Sequence, residues 1–352
     1  MDFGTPRVVV TGATGWLGCR LVDTLLHGLP DSERLRAPQP DLRVRALVAP
    51  GQDGPGVQSL SDRVEVVVGD VRQPAHLDDL LRGAAGGVVF HTAGMIHPRR
   101  VSEFYQVNVD GTRNLLAAAA KAGVRRAVIV SSNSPCGNNP TREHRFDERS
   151  PYHPYMNYGR SKMIMELAVR EAQARGRLET VVIRAPWFYG PWQPPRQTLF
   201  FTMIRDGKAP IVGDGGNLRS MAYLDNLCQG IMLAALEPRA NGETYWIADE
   251  RPYTMNEIMD TVARLLESEF QQKVVHQRTR LPDLASEVAM LVDGTIQALG
   301  GYQQKIHVLS EMNKTIACVI AKAQEQLGYR PAVALEEGMR RSLRWCFENK
   351  YL

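Results

Sequence analysis

The stretch VVVTGATGWLG, Val8–Gly18, opens on three β-branched residues and carries three glycines spaced GxxGxxG. Val8–Val10 reads as a short strand. Trp16–His27, with Leu17, Leu21, Val22 and Leu25 on one stripe, reads as the helix that follows. Gly12, Gly15 and Gly18 therefore lie where a strand turns into a helix. A pyrophosphate needs a tight turn, a close backbone approach and the exposed N–H groups of a helix N-terminus, and glycines at these places supply all three. Such a pattern alone could be only a structural turn; the strand before it and the helix after it give it a cofactor-binding sense. The spacing differs from the GxGxxG of ordinary dinucleotide dehydrogenases.

The same alternation continues outward. Val44–Val48, Val64–Val68, GVVFHTAG (87–94), RAVIVSS (126–132) and TVVIRAP (180–186) read as strands. Between them, HLDDLLRGA (76–84), FYQVNVDGTRNLLAAAAKAG (104–123) and YGRSKMIMELAVREAQARG (158–176) read as helices. Apolar strands alternating with helices predict an α/β fold, a Rossmann-type doubly wound parallel sheet with both faces covered. The charged, proline-bearing segment at 28–42 is expected to be a solvent-exposed insertion.

Beyond Pro186 the pattern loosens into Pro- and Gly-rich loops and short helices, so residues 1–187 are expected to form the cofactor domain. Residues 188–352 are expected to form a smaller, mostly helical substrate domain, with about 220–248 returning in part to the sheet. In that part TMNEIMDTVARLLES (254–268) predicts a helix capped by Thr254, with Glu257 three residues on. Residues 281–308 are helical in pattern and fairly apolar. They suit an amphipathic packing helix, a cover for a greasy ligand, or peripheral contact with a membrane surface.

Composition excludes several classes. A formal net charge of +4 over 352 residues, with no basic stripe interleaved with aromatics, argues against nucleic acid. The 5 cysteines form no CxxC pair, which argues against a zinc site or disulfide framework and for a reducing, cytoplasmic setting. The N-terminus lacks a leader pattern, and no apolar run approaches the roughly 18–20 residues a membrane span needs.

YGRSK, Tyr158–Lys162, sets a phenol and an ammonium one helical turn apart. An isolated pair of this kind is most simply a solvated helix face. An ammonium so placed can, however, favour a phenolate and bring the phenol below its usual pKa of about 10. TGxxGxxG followed far downstream by YxxxK resembles the short-chain dehydrogenase/reductases, in particular their extended branch of epimerases, dehydratases and 3β-hydroxysteroid dehydrogenases. The resemblance covers essentially the whole chain. It implies Tyr158 as acid/base, Lys162 as the group that lowers its pKa and holds the nicotinamide ribose, and Ser132 as donor to the substrate oxygen; Ser132 is chosen over Ser131 and Ser134 because it stands five residues before Gly137.

The resemblance further implies cofactor contacts at Gly12, Thr14, Gly15, Trp16, Leu17 and Gly18, at Asp70 and Val71 in GDV, and at Thr92, Ala93 and Gly94 in HTAG. It adds Asn108, Ser131, Tyr158, Lys162 and Pro186, and gives Ser132, Asn133, Tyr158, Trp187 and Arg219 to the substrate. The cofactor is expected to be NAD, with NADP possible, since Ala49 stands where an acidic or arginine selector would sit after the second strand. No metal is expected. The residues of a homodimer interface would be Met163, Leu167 and Ala168 on the YxxxK helix.

Substrate is the least legible part. The C-terminal motifs and Trp187 favour a small molecule with a hydrophobic ring, oxidised or reduced as a secondary alcohol or ketone. The alternative is a nucleotide sugar acted on by an epimerase, dehydratase or ketoreductase, with Arg219 on its diphosphate. A non-catalytic cofactor sensor would have no chemical need for serine, tyrosine and lysine together. His91 is expected to be a satisfied core histidine, His97 and His153 ordinary loop residues near the site mouth, and Cys136 a packing residue beside the substrate.

Overall fold

The computed structural model describes residues 3–352. Six strands, β1 (Arg7–Thr11), β2 (Arg43–Val48), β3 (Val64–Val68), β4 (Val88–His91), β5 (Arg126–Ser132) and β6 (Glu179–Ala185), join a seventh, Thr244–Trp246, in one sheet. All pairings are parallel, in the order β3, β2, β1, β4, β5, β6 and then the seventh strand. This is the doubly wound sheet that the alternation predicts.

Side chains of a strand point alternately to its two faces. In β1, Val8 and Val10 enter one core with Leu21 and Leu25 of helix α1 (Trp16–His27), while Val9 enters another with Leu77, Leu115 and Met165. A strand covered on both sides has no position where a polar residue is cheap, which is why it reads as VVV. Helix Leu224–Leu236 and the seventh strand complete the first of these cores. A separate core gathers Tyr189 of a short strand with Phe201, Ile258, Val262, Met339 and Leu343 of the later helices. The cap at Thr254 is present: its side chain accepts from the Glu257 N–H at 3.0 Å.

The connection at 28–42 differs from the expected free insertion. It has no regular secondary structure, yet Leu29, Leu35 and Leu42 are buried in the first core, and Asp31 pairs with Arg341 of the C-terminal helix Leu335–Glu348. Three leucines dispersed among charges carry no periodicity, so the anchoring is invisible to pattern reading. On the helix that carries YGRSK, Met156–Ala174, Leu167 is 40% exposed, whereas Ala168 turns into the protein's own interior at 6%.

From β3 at the edge the chain returns to β4, which pairs with β1 on the side away from β2. The strand order thus reverses between β1 and β4, and a crevice forms outside their carboxyl ends. Gly12 follows β1 there, and Thr92–Gly94 follow β4.

Candidate active site

Two of the three turn glycines are demanded by packing. Gly12 has φ of 72°, and a Cβ on it would lie 2.5 Å from the Ala93 nitrogen. A Cβ on Gly18 would lie 2.1 Å from the Gly12 carbonyl oxygen. Gly15 is different: it is the exposed N-cap of α1, and its Cβ would meet only the Gly12 oxygen, at 3.2 Å. Its open side, beside the first N–H groups of α1, is where a phosphate fits. Gly18→Ala is expected to destabilise the protein by about 1–3 kcal/mol through forced overpacking and to weaken NAD binding. Urea unfolding and a calorimetric NAD titration measure the two effects.

The turn is clasped from outside. Thr14 Oγ1 donates to Gln52, the first polar side chain beyond β2 and neither acid nor arginine. Trp16 Nε1 donates to the Pro191 carbonyl at 2.7 Å and stacks obliquely on Phe188. Arg20 forks onto Asp225 at 2.6 and 2.8 Å and so ties α1 to helix Leu224–Leu236. Leu17 faces the core beneath α1.

At the end of β3, Asp70 is gripped by the Arg72 guanidinium, which holds its carboxyl below the usual range, and Val71 is buried under the turn. Thr92 Oγ1 donates back to the Thr11 carbonyl at 2.7 Å. A Cβ on Gly94 would lie 3.5 Å from Asn108 Oδ1 and 3.6 Å from Lys162 Nζ, so this glycine leaves a hollow lined by an amide and an ammonium. Asn108 itself is fully engaged: its amide group donates to Met95 O and Ser161 Oγ, and its oxygen accepts from the Met95 N–H. It lies in a π-helical turn, Tyr105–Gly111. It braces the hollow without a free donor of its own.

Ser132 ends β5, and the helix Met156–Ala174 brings Tyr158 and Lys162 against it. Burial pushes the Tyr158 phenol up to about 12, while a hydrogen bond with Ser132 pulls the other way. Burial lowers Lys162 to about 8, opposed by Glu166. Its Nζ donates to the Val130 carbonyl at 2.9 Å, near Met165 Sδ. Residues four apart share a helix face, and here the long lysine stem carries the ammonium to the β5 backbone and toward Gly94. Ser131 points the opposite way from Ser132, donating to Glu166 Oε1 at 2.6 Å.

Glu166 is the residue that pattern reading missed. It forms an ion pair with Arg184 at 2.9 Å with both side chains 1% exposed, and it accepts from the Tyr152 phenol at 2.8 Å. Its only sequence signal is its place four residues after Lys162.

The Tyr158 ring has aromatic neighbours. Phe104 packs on Tyr158 with ring centroids 5.6 Å apart and meets Tyr302 edge-on at 5.5 Å. His97 hydrogen-bonds Tyr302 at 2.9 Å and is lowered to about 4, first by burial and then by Arg196 and His307. Trp187, in the short strand Trp187–Tyr189 after the buried Pro186, meets Phe200 edge-on at 5.6 Å. Arg219 donates to the Glu311 carbonyl, has a buried Nε without a partner, and is lowered by burial. Asn133 lies beside Ser132 at 3.4 Å.

The remaining residues behave more plainly. His91 is wholly buried between Thr11 (2.6 Å) and Thr112 (2.9 Å) and is lowered to about 3 by burial. Cys136 is 1% exposed within the first core, where burial raises its thiol to about 11, and His153 is exposed.

A glycine turn at the switch point, with serine, tyrosine and lysine converging beside it, defines an NAD-dependent enzyme of the extended short-chain dehydrogenase/reductase class. Residues 9–278 match the model of the 3-beta hydroxysteroid dehydrogenase/isomerase family, and the chain belongs to that family. It is 53% identical over 351 residues to the uncharacterized protein y4nL of Sinorhizobium fredii, covering 99% of this chain and 97% of that one. It is 29% identical to 3beta-hydroxysteroid-dehydrogenase/decarboxylase isoform 1 of Arabidopsis thaliana, over 95% of this chain and 78% of the relative. Among solved structures, it superposes on the dTDP-glucose 4,6-dehydratase DesIV of Streptomyces venezuelae, solved with NAD and TYD bound. The TM-score is 0.76 at 28% identity, with 98% of each chain covered.

Proposed function

We propose that this enzyme interconverts a secondary alcohol and a ketone on a small molecule with a hydrophobic ring, in the manner of a 3β-hydroxysteroid dehydrogenase. The observation that carries this reading is the aromatic packing at Tyr158, where Phe104 lies against the phenol ring and Tyr302 meets Phe104 edge-on. Flat apolar rings pack well on such faces.

The hollows at Gly15 and Gly94 fit NAD, with Asp70 and Thr92–Gly94 along its length and Lys162 at its ribose. When bound, NAD supplies the hydride exchange. The protein manages the proton. Tyr158 takes it from the alcohol oxygen or returns it to the ketone oxygen, and Ser132 donates a hydrogen bond to that same atom. Loss of water would need a further acid and base next to the reacting carbons; the residues after Ser132 are Asn133 and Ser134, and neither supplies one.

A second reading, a nucleotide sugar as substrate, is favoured by one observation: the buried, unpartnered Nε of Arg219, a donor suited to a diphosphate. Assays with NAD distinguish the two. Net NADH formation with a 3β-hydroxysterol and none with UDP- or dTDP-sugars is the expected result. Conversion of a nucleotide sugar without net NADH, and inertness toward the sterol, would overturn it.

A further inference from the structure

Tyr158, Lys162 and Glu166 stand four residues apart on the helix Met156–Ala174 and so share one face. Three consecutive residues of β5 meet them. The Val130 carbonyl accepts from Lys162 Nζ at 2.9 Å, Ser131 Oγ donates to Glu166 Oε1 at 2.6 Å, and Ser132 hydrogen-bonds Tyr158. Proton transfer and cofactor binding use the first two members of this stripe. Neither uses the third.

Glu166 is clamped from two strands and from the segment before its own helix. The β5–β6 register sets Ser131 opposite Arg184, so both side chains leave the same face of the sheet side by side. Arg184 reaches both carboxylate oxygens, through Nη2 at 2.9 Å and Nε at 3.2 and 3.3 Å, and Tyr152 donates at 2.8 Å. The guanidinium in turn lies over the rings of Tyr152 and Trp246, at 5.5 and 5.6 Å. An apolar pair of like volume would hold the helix to the sheet about as well as an ion pair buried this deeply. What only the carboxylate supplies is a fixed negative charge one turn beyond Lys162.

Lys162 has need of it. The side chain is buried, and burial favours the neutral amine; Glu166 opposes that effect, and the balance lies at about 8. Among the described residues no other charged group bears on the ammonium. From β4 comes His91, lowered to about 3 and so uncharged. The π-helical turn brings only the Asn108 amide, across the Gly94 hollow, and the helix itself brings Tyr158, a neutral phenol. Arg184 is committed to Glu166.

We propose that Glu166 is a positioning residue for the reaction, a countercharge clamped by Ser131, Arg184 and Tyr152 that keeps Lys162 an ammonium beside the cofactor ribose and Tyr158. This role rests on the reading of Ser132, Tyr158 and Lys162 as the residues that manage the proton and the ribose. Lys162 is charged below about 8 and loses its charge as pH rises through that value. Without Glu166 the loss begins at lower pH.

Carbon-13 NMR of the full chain labelled at lysine Cε reads the ammonium directly, with the Lys162 signal assigned through Lys162→Met. In Glu166→Gln, Lys162 is expected to become about tenfold more acidic. NAD affinity, measured by calorimetry, is expected to fall more steeply from about pH 6 to 8 than in wild type. Glu166→Met with Arg184→Met, which removes both buried charges and keeps the fold if the single variant does not, is expected to move the lysine signal in the same direction. A merely structural Glu166 would lower the melting temperature and leave the Lys162 titration where wild type has it; that result in either folded variant would overturn the proposal. Tyr158→Phe as active as wild type would overturn it by another route, removing the catalytic reading while the lysine signal still moves with Glu166.

Discussion

Tyr158→Phe is expected to lower kcat by about 10²–10⁴-fold, the usual worth of one positioned acid/base group, with little change in NAD affinity. The substitution removes one oxygen and leaves the ring, which still packs on Phe104. A purely structural tyrosine would give the opposite outcome, a lower melting temperature with activity retained. The pH profile adds a second reading. Burial sets the phenol at about 12, so the phenolate fraction that can accept the alcohol proton rises with pH throughout the neutral range. Wild-type alcohol oxidation should therefore climb from about pH 6 to 8, and the residual rate of the phenylalanine variant should not follow that climb. Equal kcat in the two proteins would remove Tyr158 from the mechanism.

The second large effect is on stability. Glu166→Gln leaves the Arg184 guanidinium buried without its countercharge and is expected to cost about 3–5 kcal/mol, as for other broken buried pairs. Among the described residues Arg184 has no second carboxylate to turn to, and its Nη1 is already unpartnered. The double replacement Glu166→Met with Arg184→Met is expected to recover much of that loss, because it removes both charges together. Urea unfolding of the two single variants and the double variant gives the coupling. A single variant as stable as wild type would mean that water or a shifted side chain takes the partner's place.

These two sites also divide what the chain discloses from what it conceals. The sheet was legible because β-branched runs alternating with leucine stripes have few other ways to bury themselves. The convergence of Gly12, Ser132, Tyr158 and Lys162 was legible because chemistry fixes residue type and spacing together. Glu166, Arg184 and Tyr152 were not, since a buried ion pair joins a helix to a strand and a loop through space and leaves no spacing rule. The helix Asp283–Ala298 was half legible: its apolar residues were plain, but it buries Ser286, Asp293 and Gln297 instead, and two of these are held by partners distant in sequence, His307 and Asn157. The bond from Lys162 to the Val130 carbonyl was not legible either, because sequence gives a shared helix face and not the reach of a four-carbon stem.

The π-helical turn at Tyr105–Gly111 has a consequence for how this chain's two neighbouring helices are oriented. Such a turn holds an extra residue relative to the α-helix on either side. Val101–Phe104 before it and Thr112–Lys121 after it are therefore out of phase by the angle of one residue. Upstream, Phe104 is aimed at Tyr158; downstream, Leu115 and Ala119 are aimed into the sheet. The irregular turn works as a clutch between them, so that the face set toward Tyr158 and the face set into the sheet need not share one helical phase.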